Sequence, residues 1–288
     1  MVIAIIGGDL RAVFLGKLLS DDGHYVKYFG FDNKYIGEKG GNLAEIIDKS
    51  DVVIGPLLCS NDNVNLNATL YSENIRLEDI FNFMNKEQIF IAGNITEQIS
   101  KYASLKEIET VDLLKREELT VLNAIPTAEG AIQLAMEKMP ITLHNSNVMI
   151  IGYGRIGKIL CKMLYGIGAN VHVSARKTHD LAYIKSFGYN PISSEKLIDS
   201  ISDMDIIFNT VPNLILDKNI LEKVGNESII IDLASKPGGV DFKEAEKMGI
   251  KTYHALSLPG KSAPLTAADY IRHSLYNILI ERGYKICY

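Results

Sequence analysis

Apolar runs recur along the chain at short intervals, each bounded by glycine or a polar turn. The first, VIAII at residues 2–6, runs into Gly7-Gly8-Asp9-Leu10-Arg11, after which Leu10, Val13, Phe14 and Leu18 share one helical face. Further runs at 25–29, 52–54, 89–92 and 108–113 alternate with helical patterns. That alternation of strand and helix patterns predicts a largely parallel sheet flanked by helices. The rhythm resumes at Val148, with strands expected at 148–151, 170–174, 205–209, 228–232 and 250–253. In the closing stretch, 265–281, Leu265, Ala268, Ile271, Leu275, Ile278 and Leu279 fall at helical spacing and form an apolar stripe. That helix is expected to cross back onto the first domain, giving an N-terminal domain of residues 1–122 plus 265–288 and a second domain of 123–264.

The second series opens on a chemical signature. Val148-Met149-Ile150-Ile151 leads into Gly152-Tyr153-Gly154-Arg155-Ile156-Gly157, and Ile159, Leu160, Met163 and Leu164 continue at helical spacing. Strand, GxGxxG and helix in that order predict a dinucleotide site: Gly152 for the turn, Gly154 for pyrophosphate approach, Gly157 for helix–strand packing. The fold class that follows is α/β, two doubly wound, Rossmann-like domains with mostly parallel sheets. Enzymes that prefer NAD commonly end the next strand with an acid that holds the ribose diol, about twenty residues on. Here the residues are Ser174-Ala175-Arg176-Lys177. A hydroxyl and two cations suit a 2′-phosphate, so NADP is expected and NAD is the lesser choice; a solvated loop is the alternative reading of Arg176 and Lys177.

Composition narrows the field without changing this picture. The chain has 288 residues, 47% hydrophobic and 23% charged, with a net charge of −5, so it carries no electrostatic footprint for nucleic acid. No apolar run approaches a membrane span and the chain starts directly in a strand pattern, so a cytoplasmic protein is expected. Cys59, Cys161 and Cys287 are odd in number and far apart, and the six histidines show no ligand spacing, so neither a disulfide framework nor a metal site is expected.

In a doubly wound sheet, ligands lie beyond the carboxyl ends of the strands. There the chain reads Asn209-Thr210-Val211-Pro212, of which Thr210, Val211 and Pro212 are expected beside the coenzyme, then Asp232-Leu233-Ala234-Ser235-Lys236-Pro237-Gly238-Gly239, then His254 through Pro264. Lys236 and Lys261 are placed where an anionic substrate would meet a nicotinamide, with Ser262 as a hydrogen-bond donor. Leu256 and Leu258 are read either as flanking the coenzyme ring or as core. The Gly7 turn lacks the third glycine and has Asp9 where a phosphate would sit. Arg11 is therefore read as a carboxylate ligand at the helix start, or else as a solvated residue beside an Asp9 cap. Asn123 through Gly130 is read as a helix opening at Pro126 between the domains, with Thr127 and Glu129 either reaching ligand or capping. His254 is the one candidate general base, a structural histidine being the alternative. The asparagine-rich stretch between Pro56 and Leu77 is read as a lid, a partner-docking loop or a flexible excursion.

These same residues, Gly7 to Arg11, Asn123 to Gly130, Gly152 to Gly157 and Ser257 to Pro264, resemble the A subunits of dipicolinate synthase, the enzyme of spore-forming bacteria that makes pyridine-2,6-dicarboxylate. The resemblance spans nearly the whole length. It implies oxidation of dihydrodipicolinate, or of its hydrated precursor, late in sporulation in the mother cell. It also implies a pyridine nucleotide as hydride acceptor and, as partner in a hetero-oligomer, the flavoprotein-like B subunit of dipicolinate synthase. On that reading the first domain meets substrate or partner, and Arg11, Lys236 and Lys261 clamp the dicarboxylate with help from Ser262 and Thr127. Two other readings stay open: a dehydrogenase of a small 2-hydroxy or 2-amino acid, and a non-catalytic NADP-binding regulatory protein.

Overall fold

A computed structural model describes residues 1–32 and 41–286. Cys287 lies outside the described residues. The chain divides into two units, residues 1–123 with 263–288, and residues 124–262.

The first unit follows the alternation of its apolar runs. In chain order it contains β1 (Val2–Ile6), α1 (Leu10–Asp21), β2 (Tyr25–Phe29), α2 (Leu43–Asp48), β3 (Val52–Ile54), α3 (Leu77–Phe83), β4 (Ile89–Ala92), α4 (Glu97–Ser104) and β5 (Glu109–Asp112). The strands pair in parallel in the order β2-β1-β3-β4-β5, with Ile3 opposite both Val26 and Val52. Successive β1 side chains enter different cores, as a period of two requires. Ile3 and Ile5 pack with Leu15, Leu19, Ile271 and Leu275, while Ala4 and Ile6 pack with Ile46, Ile80 and Phe81.

The second unit repeats the plan with one strand more. It contains β6 (Asn147–Ile151), α6 (Arg155–Ile167), β7 (Asn170–Ala175), α7 (Thr178–Ser186), β8 (Asn190–Ser193), α8 (Leu197–Ser200), β9 (Ile206–Asn209), α9 (Lys218–Leu221), β10 (Ile229–Asp232), α10 (Phe242–Lys247), β11 (Lys251–His254) and α11 (Leu258–Ser262). Its order, β11-β10-β9-β6-β7-β8, is again parallel throughout. The order reverses direction at β6 and β9, which makes the crevice beyond their carboxyl ends the expected ligand position.

Four features depart from the sequence expectations. β8 was not foreseen because Pro191 interrupts its pattern; proline is tolerated there because β8 is an edge strand. The connecting helix, α5 (Glu117–Lys138), starts well before Pro126 and carries that proline inside it. Glu117, Glu118, Leu119, Leu122 and Ala124 are good helix formers, and the two glutamates sit in the first turn where they complement the helix dipole, so the helix starts upstream of the proline. Residues 258–262, in the stretch that follows the last strand, form a helical turn where no helix was expected. The asparagine-rich stretch is packed, not loose: Leu66 and Ile75 are buried, the side chains of Ser60 and Asp62 bind five backbone groups between them, and the Thr96 hydroxyl donates to Asn63 Oδ1.

The last helix, α12 (Pro264–Glu281), belongs to the first unit and packs along α1. Its buried side is Ala267, Ala268, Ile271, Leu275, Tyr276, Ile278 and Leu279, whereas Leu265 is exposed. A polar clasp fixes its register. Tyr276 Oη donates to Asp22 Oδ2 at 2.6 Å, and Arg272 Nη1 donates to both Asp22 oxygens at 3.0 Å. Tyr276→Phe removes a buried donor to a charged acceptor, which costs about 1.5–3 kcal/mol. Its expected effect is a clear fall in the melting transition followed by circular dichroism, and an unchanged transition would show that the clasp does not bear on stability.

Candidate active site

The three glycines after β6 each meet a different constraint. Gly152 has φ +101°, and a Cβ there would strike the Thr210 hydroxyl and stand 2.9 Å from Val211 Cγ2. A Cβ at Gly157 would collide with the Gly152 carbonyl, so α6 crosses β6 at a distance only glycine permits. Gly154 has ordinary backbone angles, and a Cβ there would meet nothing within 4 Å. Packing thus explains two of the glycines and leaves the third facing open space. Gly154 is also the N-cap of α6, with no side-chain cap and no acid in the first turn, so a thirteen-residue helix presents its N–H groups uncovered. Such an end is a site for phosphate oxygens. The open approach at Gly154 and the uncovered helix end therefore fit a dinucleotide.

The loop is held from below. Gly152 N–H donates to the Ser174 carbonyl at 2.9 Å, and both the amide and the hydroxyl of Thr210 donate to the Ile151 carbonyl at 2.9 Å. Thr210 thus supports the turn, with Val211 and Pro212 following it at the crevice. Tyr153 packs on the apolar cluster behind α6, with Lys158 Nζ 5.4 Å from its ring centre, and burial pushes its hydroxyl up to about 12. At the end of β7 the strand runs one residue further than expected, to Ala175, and Ser174 is only 2% exposed within it. The Ser174 hydroxyl is thus not displayed at the strand tip, where Arg176 and Lys177 are the exposed pair.

Beyond β9 and β10 the structure brings together two residues to which the sequence reading gave no role. Asn209 and Asp232, each the last residue of its strand, are opposite one another in the ladder and fully buried. Asn209 Nδ2 donates to Asp232 Oδ1 at 2.8 Å and to the Val211 carbonyl at 3.0 Å. The Ala234 and Gly239 amides donate to Asp232 Oδ1 and Oδ2 at 3.1 and 2.8 Å. The signal was a polar residue closing each of two apolar strands, IIFN and IIID, where burial demands a partner.

Lys236 and Lys261 are both exposed, and among the described residues neither has an ion pair. The other expected ligands are engaged by the protein itself. His254 Nε2 lies 3.0 Å from the Ala234 carbonyl, to which it donates, and the ring stacks on Phe242 at 5.2 Å, so that nitrogen is not a free base. The Ser262 hydroxyl donates to the Leu258 carbonyl at 2.9 Å and leans on the Pro126 carbonyl at 3.2 Å. It fixes α11 against α5 where Gly130 lets them approach. Thr127 is half-buried in the body of α5, since the helix does not start at Pro126, and Glu129 is exposed. Leu258 is core and Leu256 is half-buried.

In the first unit, Asp9 caps α1 through the Arg11 amide at 3.0 Å, and the Arg11 guanidinium binds the same carboxylate through Nε and Nη2, at 3.0 and 2.6 Å. Burial works to raise the Asp9 carboxyl, but the Arg11 contacts outweigh it and hold it below its usual range. Arg11 is neither solvated, at 12% exposure, nor free for a substrate carboxylate.

Comparison with known proteins now places the chain. Residues 2–114 match the N-terminal domain of the dipicolinate synthase A subunit, and residues 125–237 match the NAD-binding domain of D-isomer-specific 2-hydroxyacid dehydrogenases. The chain is 33% identical to the dipicolinate synthase A subunit of Bacillus subtilis over 97% of its own length and 96% of the relative's. The crystal structure of the Bacillus halodurans A subunit is 31% identical, with a TM-score of 0.89 covering 96% of this chain and 97% of that one. The Bacillus subtilis structure is 33% identical, with a TM-score of 0.87 covering 98% and 97%. Among the described residues no helix is long and apolar enough to cross a membrane.

The glycine geometry separates binding from folding. Gly154→Ala should leave the melting transition unchanged yet weaken reduced-coenzyme binding at least tenfold, about 1.4 kcal/mol, in a fluorescence titration. Gly157→Ala should disturb both. Equal affinity in Gly154→Ala and the unmodified chain would remove the pyrophosphate from this loop.

Proposed function

The chain belongs to the family of dipicolinate synthase A subunits and is an NAD(P)-dependent oxidoreductase, and on that premise we propose that it oxidises dihydrodipicolinate, or its hydrated precursor, to dipicolinate with NADP. The observation that carries the coenzyme choice is the pair of exposed cations, Arg176 and Lys177, directly after Ala175, where an acid would otherwise hold the ribose diol. Arg176 offers a fork for the 2′-phosphate and Lys177 a point charge.

The substrate is a dianion, and carboxylates taken out of water need fixed positive charge. Lys236, after β10, and Lys261, in the turn after β11, supply it from neighbouring strand ends, which is why these two are assigned to the carboxylates. The bound coenzyme supplies a two-electron sink: dihydrodipicolinate and NADP⁺ become dipicolinate, NADPH and a proton. The protein's residues orient the ring and balance its charge, while aromatisation supplies the driving force, so most of the catalytic effect is positioning. With His254 braced to the Ala234 carbonyl, no base is assigned. The B subunit, the partner implied by family membership, completes the enzyme in the mother cell of a sporulating bacterium.

Arg176→Ala combined with Lys177→Ala should weaken NADPH binding about 10- to 100-fold, the equivalent of one or two charge-assisted hydrogen bonds, and leave NADH within twofold. Equal loss of both coenzymes, or of neither, would reverse the choice of NADP. For the reaction, dipicolinate is measured by its ultraviolet absorbance after supplying dihydrodipicolinate and NADP to the chain, alone and with the B subunit. Turnover by the chain alone excludes a purely regulatory role. Its absence even with the partner would point to a small 2-hydroxy or 2-amino acid, in keeping with the dehydrogenase character of residues 125–237.

A further inference from the structure

We propose that the buried Asp232–Asn209 pair is a positioning bridge that holds Lys236 in place relative to the coenzyme loop. The inference rests on the reading of Lys236 as a substrate ligand. Asp232 is fully buried and, among the described residues, has no lysine or arginine beside it; its oxygens are met by three N–H donors instead. A buried carboxylate with that wiring is expensive unless the donors are held where it needs them.

Those donors define its task. The Ala234 and Gly239 amides stand at the two ends of the exposed turn that carries Lys236, and the Gly238 amide closes that turn on the Ser235 carbonyl at 2.9 Å. One carboxylate therefore fixes both ends of the lysine's loop. The third donor is Asn209, which also binds both polar groups of the Val211 backbone, at 3.0 and 3.2 Å. Val211 follows Thr210, whose amide and hydroxyl hold the strand entering the glycine loop. Hydrogen bonds joined by the Asn209-Thr210-Val211 backbone thus link the strand entering the coenzyme turn, through Asn209 and Asp232, to the Lys236 turn.

The fit tolerates little change. A Cβ at Gly238, where φ is +95°, would press on Asp232 Oδ2 and stand 3.3 Å from the Phe242 ring. With asparagine at 232, the amide nitrogen faces either the Gly239 N–H, or Asn209 Nδ2 together with the Ala234 N–H. Flipping Asn209 to compensate would break both of its bonds to Val211. The first arrangement sacrifices a single contact, so Asp232→Asn should loosen the Gly239 end of the lysine turn while sparing the coenzyme loop.

The test is a double-mutant cycle in the full chain, with the B subunit present if turnover requires it. The KM for dihydrodipicolinate, the kcat and the NADPH dissociation constant are measured for Asp232→Asn, Lys236→Met and the double variant. Amide exchange at Gly239 and Val211 gives a readout independent of turnover. Asp232→Asn should raise KM at least tenfold, keep NADPH binding within twofold, and speed exchange at Gly239 but not at Val211. The double variant should be no worse than Lys236→Met within twofold, because both changes remove one contribution. Additive losses, or a loss of NADPH affinity matching the rise in KM, would make Asp232 a general fold residue and overturn the bridge. An unchanged KM in Lys236→Met would instead remove Lys236 from the substrate, and this inference with it, a result distinguishable from additivity. Should Asp232→Asn not fold, Gly238→Ala displaces the same attachment by crowding Asp232 Oδ2 while leaving the carboxylate's charge in place, and an unchanged KM there overturns the proposal equally.

Discussion

Parallel strands covered by helices on both faces leave one place in each unit for polar chemistry, the carboxyl ends of the strands. Along the inner strands the stretch between those ends is committed to packing: Ile3, Ile5, Val53, Ile150, Phe208 and Ile231 are all buried, and these strands' backbones are paired on both sides. A side chain capable of binding an anion must therefore come from the residue that closes a strand or from the turn beyond it. In the second unit the crevice at the β6/β9 reversal concentrates these turns, and the glycine loop, Thr210 to Pro212 and the Asn209–Asp232 pair all arise there.

The two units show how little sequence separates a nucleotide loop from its imitation. Both first strands run into glycines with positive φ, Gly7 and Gly8 in one, Gly152 in the other, and both then enter a long helix. In the first unit the N-cap is Asp9, whose carboxylate already fills the position a phosphate would take at the helix end, and Arg11 neutralises it. In the second the N-cap is Gly154, which adds neither charge nor bulk. The helix dipole is the same in both; the occupant differs.

Much of this was legible in the sequence because it depends on local periodicity. The uninterrupted apolar strands, the glycine fingerprint and the acid-free end of the following strand are statements about neighbours in the chain, and the structure reproduces the strands to within a residue or two at their ends. β8 was hidden because Pro191 is compatible with a strand only at a sheet edge, and edge position is a property of the sheet. The start of α5 was misplaced because proline is commonest at a helix beginning, yet here upstream propensity carries the helix through it. Ser262 as a ligand donor, and His254 as either a base or a structural histidine, could not be resolved because nothing in the sequence shows that the Pro126, Leu258 and Ala234 carbonyls lie within reach of them.

Asp9 and Asp232 illustrate why the wiring of a carboxylate matters more than its presence. Each lies at the carboxyl end of an apolar strand and each has a cation within a few residues in sequence, Arg11 and Lys236. Asp9 satisfies itself with the guanidinium, whose charge is neutralised along its Nε–Nη2 edge. Asp232 is satisfied by backbone amides and a carboxamide, none of which carries charge, so Lys236 remains exposed with its ammonium unpaired among the described residues. A buried carboxylate left short of donors draws a cation to itself, as Asp9 does with Arg11. Saturating the carboxylate with neutral N–H groups is the condition under which a buried acid and an available base can occupy one short turn.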